Sequence, residues 1–301
     1  MPIVIPREIP AFDVLTKESI FVMGDKRALT QDIRPLEIAI LNLMPTKVET
    51  ETQLMRMLSN SPLQINVTLI KTATYSATHA LQTHMDRFYH TLDEVKNRRL
   101  DGLIVTGAPV EQMDFADVKY WDELCEILDY ADRNVTSSVF ICWGAQAALS
   151  YYYGIGKRDL PEKKFGVFEN KLLVPTDPLL RGLNDKFNVP HSRHTAIDED
   201  ALEREGRLVR LAAGDECGTS VIKSIDNKRF FFTGHSEYDR DTLKKEYYRD
   251  LDKGESIARP AHYFVGDTDE VNMSWRSTGT LLFSNWLNYY VYQVTPYDIK
   301  G

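Results

Sequence analysis

Between residues 36 and 153 short apolar runs alternate with segments of helical spacing, and this order restricts the folds open to the chain. LEIAILNL (36–43) is an apolar run ended by Pro45, and KVETETQLMRMLSN (47–60) then carries Val48, Leu54, Met55 and Leu58 at helical spacing. LQINVTLIK (63–71) alternates as a strand does, and HTLDEVKNRRL (90–100) predicts a helix. DGLIVTG (101–107) predicts a buried strand closed by glycine, and DVKYWDELCEILDYADRN (117–134) an amphipathic helix. SSVFIC (137–142) is the next buried strand, with a helix beginning near Trp143. Strand and helix in this repeating order imply parallel strands joined by right-handed crossovers and covered on both faces. The expected fold is therefore α/β, with a doubly wound and mostly parallel sheet.

The second half changes character. Glycines, prolines and short runs such as FGVFENKLLVP fill 154–193 and predict hairpins and loops. GRLVRLAAG, CGTSVIKSI and KRFFFTGH read as consecutive strands, followed by helices over DRDTLKKEYYRDLDKG and STGTLLFSNWLNYYVYQ. No repeat or flexible linker divides the chain. We expect one domain over residues 1–301, with an N-terminal extension of about residues 1–34 and β-rich additions in the C-terminal half.

The net charge of −8, with no offsetting basic stripe, argues against nucleic acid as the main partner. The proline-broken opening MPIVIPREIPAFDVL does not read as a secretory signal, and no apolar run approaches the ~20 residues that cross a bilayer. A cytoplasmic protein without membrane contact is expected. Cys125, Cys142 and Cys217 are odd in number and widely spaced, which disfavours a disulfide framework and a structural zinc site.

Each cysteine has its own setting. Cys125 falls in register with Val118, Trp121, Leu124 and Leu128 and is expected in the core. Cys217 lies between Gly214 and Gly218 in a turn. Cys142 stands where a strand hands over to a helix, the end of an open α/β sheet where sites form. A thiol there can be a small buried filler. It can also be a nucleophile on a sharp turn, with the helix N-terminus favouring thiolate and offering N–H groups to an oxyanion. The best candidate base is His235, in FFFTGHSEYD, with Glu237 two residues on. In extended geometry their Cβ atoms leave the same face roughly 6 to 7 Å apart, so the carboxylate can hold the imidazole.

CWGAQ, the upstream DGLIVTGAP and the downstream GHSE resemble the nucleophile, oxyanion-strand and His-x-Glu motifs of the class I glutamine amidotransferase fold. NLMPTK, TGAPVE, ICWGAQAAL, PHSR, TGHSEYD and YYRD together resemble the homoserine O-acyltransferases of methionine biosynthesis, which use that fold. The resemblance runs over almost the whole chain. It implies ping-pong acyl transfer: Cys142 takes the acyl group from acyl-CoA as a thioester, and His235, backed by Glu237, acts as base on the homoserine hydroxyl. It further implies that Lys47 and the backbone N–H of Trp143 form the oxyanion hole, and that Lys163, Ser192 and Arg249 bind the amino acid. Glu246, three residues before Arg249 on one helical face, is our added candidate for the substrate ammonium.

Within that family the chain resembles the acetyl-CoA users, since Glu111 follows TGAPV where succinyl-CoA users have glycine. A carboxylate in the acyl pocket would repel succinate's free carboxylate and leave acetyl unaffected. The expected substrates are L-homoserine and acetyl-CoA, the latter a co-substrate, with no bound cofactor and no metal. A homodimer is expected from the fold alone. Two rival readings are a glutamine-hydrolysing amidotransferase subunit and an inactive member that only binds.

Overall fold

The computed structural model describes residues 3–18, 20, 22–24, 34–59, 61–74 and 79–295. Four predicted strands form close to their predicted places: β3 (Leu36–Leu41), β4 (Ile65–Ile70), β6 (Leu100–Val105) and β7 (Val135–Ile141). Their continuous apolar runs suit strands buried on both faces, and all of β6 is buried. They pair in parallel in the order β4-β3-β6-β7. Helices α2 (Lys47–Ser59), α5 (Trp121–Asn134) and α6 (Trp143–Tyr153) connect or follow them.

The N-terminal segment is less separate than an extension. β1 (Ile3–Val4) pairs in parallel with both β4 and β2 (Val22–Met23), and α1 (Pro10–Lys17) lies between them in the chain. Strands of two residues carry no readable periodicity, and for that reason the sequence did not announce them. HTLDEVKNRRL yields only a one-turn helix, α4 (Leu92–Val95), closed by a Thr91/Glu94 capping box. It is preceded by α3 (His79–Phe88) and the short β5 (Tyr89–His90), which pairs with β4.

The C-terminal half extends the same sheet rather than building a second one. β8 (Lys157–Leu172) and β9 (Lys186–Ile197) form a long antiparallel hairpin, and α7 (Glu199–Arg204) leads on to β10 (Leu208–Gly214) and β11 (Gly218–Ser224). The last strand, β12 (Arg229–Phe232), runs antiparallel to β11 and parallel to β7. Among the described residues the result is one twelve-stranded sheet, parallel on one side of the β12–β11 pair and antiparallel beyond it. α8 (Thr242–Asp252) and α9 (Arg276–Asn285) follow, the latter continued by a π-helical turn, Trp286–Tyr292. Trp286 is fully buried against the sheet and donates its Nε1–H to Ser137 Oγ at 2.8 Å.

Two cores flank the parallel strands. One packs α1, α2 and α9 on one face; the other packs α5 and α6 on the opposite face. Cys125 departs from its expected place. The buried stripe of α5 is Leu124, Ile127, Leu128 and Ala131, and Cys125 sits on its flank, half-buried. No helix among the described residues is long and apolar enough to cross a membrane.

Candidate active site

Strand register brings the site together. Ile141, the last residue of β7, pairs with Phe232, the last of β12, and Phe140 pairs with Val105, the last of β6. The residues just beyond these ends, Gly107, Cys142 and His235, therefore meet at the carboxyl edge of the sheet. A Cβ placed on Gly107 would lie 3.3 Å from Cys142 Cβ and 3.5 Å from His235 Cε1, so this glycine lets the two side chains share the space.

Cys142 is held on a strained elbow. Its φ of 51° and ψ of −115° are unusual for a residue with a side chain and cost of the order of 1–3 kcal/mol. The surrounding structure enforces them: Cys142 N–H donates to Phe232 O at 2.7 Å, and Cys142 O accepts from Gln146 N–H as the first bond of α6. Gly144 completes the turn, since a Cβ there would fall 2.5 Å from Thr106 O and 3.0 Å from Val105 O. Gly144→Ala is expected to destabilise the fold by about 1–3 kcal/mol, measured by urea unfolding. An unchanged midpoint would show that α6 can move off β6 at no cost.

The His235 imidazole lies beside Cys142, the two side chains sharing the space over Gly107. Its Nδ1 meets Glu237 Oε1 at 2.7 Å, and all three groups are buried. The expectation of an extended His-x-Glu is corrected in one respect. Tyr238 N–H donates to His235 O, so 235–238 is a turn, and Glu237 reaches the imidazole across it. Burial opposes charging the imidazole, but Cys142 and Glu237 outweigh it and carry the His235 pKa well above its ordinary value. Tyr238, which the sequence did not single out, stacks on the imidazole with centroids 4.1 Å apart and planes 12° from parallel. An i+3 residue in a turn is the one signal that pointed to it.

These residues open onto a cavity of about 530 Å³, and a second of about 270 Å³ adjoins it, sharing Gly107, His235 and Tyr238 in its walls. Glu111, Lys163, Ser192, Glu246 and Arg249 all line the larger one. Glu246 is the hub. Its Oε1 takes Lys163 Nζ at 2.6 Å and the Ser192 hydroxyl at 2.7 Å, with Arg249 Nη2 at 3.8 Å. Arg249 also forks onto Asp250, at 2.6 and 3.0 Å, which holds that carboxyl below its usual range. Glu111 is tethered across the cavity, where the N–H of Thr195 donates to its Oε2 at 3.2 Å and Thr195 Oγ1 lies at the same distance.

Two predicted groups stand differently from the rest. Trp143 is the first residue of α6, so its N–H belongs to the helix N-terminus beside the sulfur, while its fully buried ring packs near Phe115 and Tyr120. Lys47 does not line either cavity among the described residues; Met44 and Thr46 do. As the first residue of α2 it folds back beneath the loop, donating its ammonium to Asn42 O at 2.6 Å. Burial pulls its pKa down to about 8, with Glu51 one turn on opposing. Glu51 is itself buried and bonded to His84 and Tyr89.

A sequence model described as homoserine O-succinyltransferase matches residues 2–297. The chain belongs to the homoserine O-succinyltransferase family. It is 53% identical over 302 residues to the homoserine O-acetyltransferase of Methanomethylophilus alvi, covering 100% of this chain and 98% of that protein. It is 51% identical to homoserine O-acetyltransferase 1 of Ilyobacter polytropus, covering 100% of each. A solved glutamine amidotransferase from Methylobacillus flagellatus superposes with a TM-score of 0.53 at 15% identity, covering 85% of this chain and 95% of that one. That likeness places this member of the homoserine O-succinyltransferase family in the glutamine amidotransferase-like fold, as the sequence motifs implied.

Proposed function

We propose that the protein transfers an acetyl group from acetyl-CoA to the hydroxyl of L-homoserine through a thioester on Cys142. The observation that carries this reading is the strained elbow: Cys142 at a helix N-terminus, beside a His235 that Glu237 holds. In the first half-reaction His235 takes the thiol proton as Cys142 Sγ adds to the acetyl carbonyl, the carbon–sulfur bond to CoA breaks, and His235 returns that proton to the departing thiolate. In the second, His235 takes the homoserine hydroxyl proton as that oxygen attacks the thioester, and the bond to Sγ breaks. The N–H groups at the α6 terminus, Trp143 among them, face the charge that develops on the carbonyl oxygen. Lys47 donates to Asn42 O in the described arrangement, and its ammonium has further N–H groups to offer the same oxyanion.

The charge pattern of the cavity supports an amino-acid acceptor. Lys163, Arg249, Glu246 and Asp250 form a cluster of two cations and two anions that suits a zwitterion. Glu246 meets the ammonium, and Lys163, Ser192 and the unforked edge of Arg249 meet the carboxylate. Acetyl over succinyl rests on Glu111, whose carboxylate Thr195 fixes in the cavity wall. The names of the relatives support the same donor.

Initial rates with homoserine and each acyl-CoA in parallel test the proposal. O-acetylhomoserine should form faster at equal donor concentration; faster succinyl transfer would overturn the donor assignment, and no transfer from either would overturn the activity.

A further inference from the structure

The PHSR segment holds a second charged residue that the proposed chemistry leaves unused. Arg193, on β9, is 4% exposed. Its guanidinium bonds only to neutral acceptors: Nη1 to Thr195 O at 2.8 Å, Nη2 to Cys217 O at 2.6 Å, and Nε to His191 Nδ1 at 3.4 Å. Among the described residues no carboxylate lies within 4.0 Å of it. Arginine keeps its proton under these conditions, so this is a buried full charge without a paired anion. Such a charge is costly and persists where a nearby group gains from it.

The surroundings identify that group. Thr195, whose carbonyl holds Arg193, passes its hydroxyl to Gln146 Oε1 at 3.0 Å, and Gln146 N–H bonds Cys142 O. Three successive bonds thus tie the guanidinium to the elbow. Burial lowers the Arg193 pKa, and Cys142 is the first of the acidic groups that act against this, ahead of Cys217, Glu111 and Glu199. His191, buried beside it, is driven well below its ordinary value by burial and by the Arg193 charge, so it stays neutral and returns no competing cation.

We infer that Arg193 is a positioning residue whose fixed charge, set behind the elbow, stabilises negative charge on Cys142 sulfur. The inference rests on the reading of Cys142 as nucleophile. Other groups act on the same sulfur from every side: His235, Glu237 and Tyr238 on the turn after β12, and Glu111 after β6. Lys163 on β8 and Glu246 on α8 face it across the cavity. Cations and the helix terminus favour the thiolate, and Glu111, Glu237 and Glu246 oppose it; Arg193 is a nearly fully buried cation with no carboxylate in direct contact among the described residues.

The test is the pH dependence of Cys142 alkylation by iodoacetamide, followed by peptide mass spectrometry on the intact chain. Arg193→Met should move the midpoint upward by about one pH unit and slow alkylation about tenfold at pH values below the wild-type midpoint. A variant with a native melting transition and the wild-type pH profile would reduce Arg193 to a strut and overturn the inference. Should Arg193→Met not fold, Arg193→Gln, which keeps an amide donor for the same carbonyls, is read by the same two criteria. Alkylation needs no substrate, so its outcome is separate from whether acetyl-CoA labels Cys142, the result on which the proposed function stands.

Discussion

Cys142→Ala is expected to lower acetyl transfer to homoserine on the order of 10⁴-fold or more and to abolish the acetyl adduct that forms on mixing with acetyl-CoA. The size follows from the architecture. Everything arranged at the carboxyl edge of the sheet, the strained φ of Cys142, the N–H groups of α6 and the His235–Glu237 pair, converges on one sulfur. Removing it leaves the imidazole facing an empty site with no group able to carry the acyl chain. Mass spectrometry of the intact chain gives the adduct and steady-state kinetics the rate. An adduct that persists in Cys142→Ala, on Cys125 or Cys217, would refute the assignment. Both of those thiols are raised by burial and lie outside the cavity walls, so neither is suited to replace it.

Glu111→Gly should move the donor preference toward succinyl-CoA by roughly a hundredfold. Two carboxylates 4–5 Å apart at an effective dielectric of about 20 repel by roughly 3–4 kcal/mol, and glycine removes both that charge and its bulk. The tether matters here. The Thr195 N–H holds Glu111 Oε2, so the side chain cannot swing aside at no cost to admit a longer acid. The ratio of kcat/KM for the two donors is the readout. A ratio unchanged in the variant would move the source of selectivity elsewhere in the cavity. Glu111→Gln separates the two contributions, since it removes the charge and keeps most of the volume.

The parallel half of the fold was legible because burial on both faces writes a continuous apolar run, as in Leu100–Val105 and Val135–Ile141. The elbow was legible for a related reason: an apolar strand ending in Cys142 and passing straight into a helix leaves few geometries. The antiparallel half was harder. β8 begins KRDLPEKKFG, where charged residues on a solvent-facing hairpin hide the strand, and Lys163 sits within that stretch. The pairing of β12 with β7 was not readable at all, because register between strands almost ninety residues apart leaves no local pattern. The surroundings of Lys47 were not readable either; only the coordinates show its ammonium donating to Asn42 O, with Glu51 one turn on. Tyr238 and Arg193 share that cause, each defined by a neighbour rather than by spacing.

The pairing of β12 with β7 also governs when the chain becomes competent. Cys142 and its helix are synthesised well before His235, yet the imidazole arrives on a strand that must slot in beside β7, and long-range contacts of this kind form late. A nascent polypeptide emerging through Tyr153 carries the thiol without its base, so it should stay chemically silent until the final third has been made and docked.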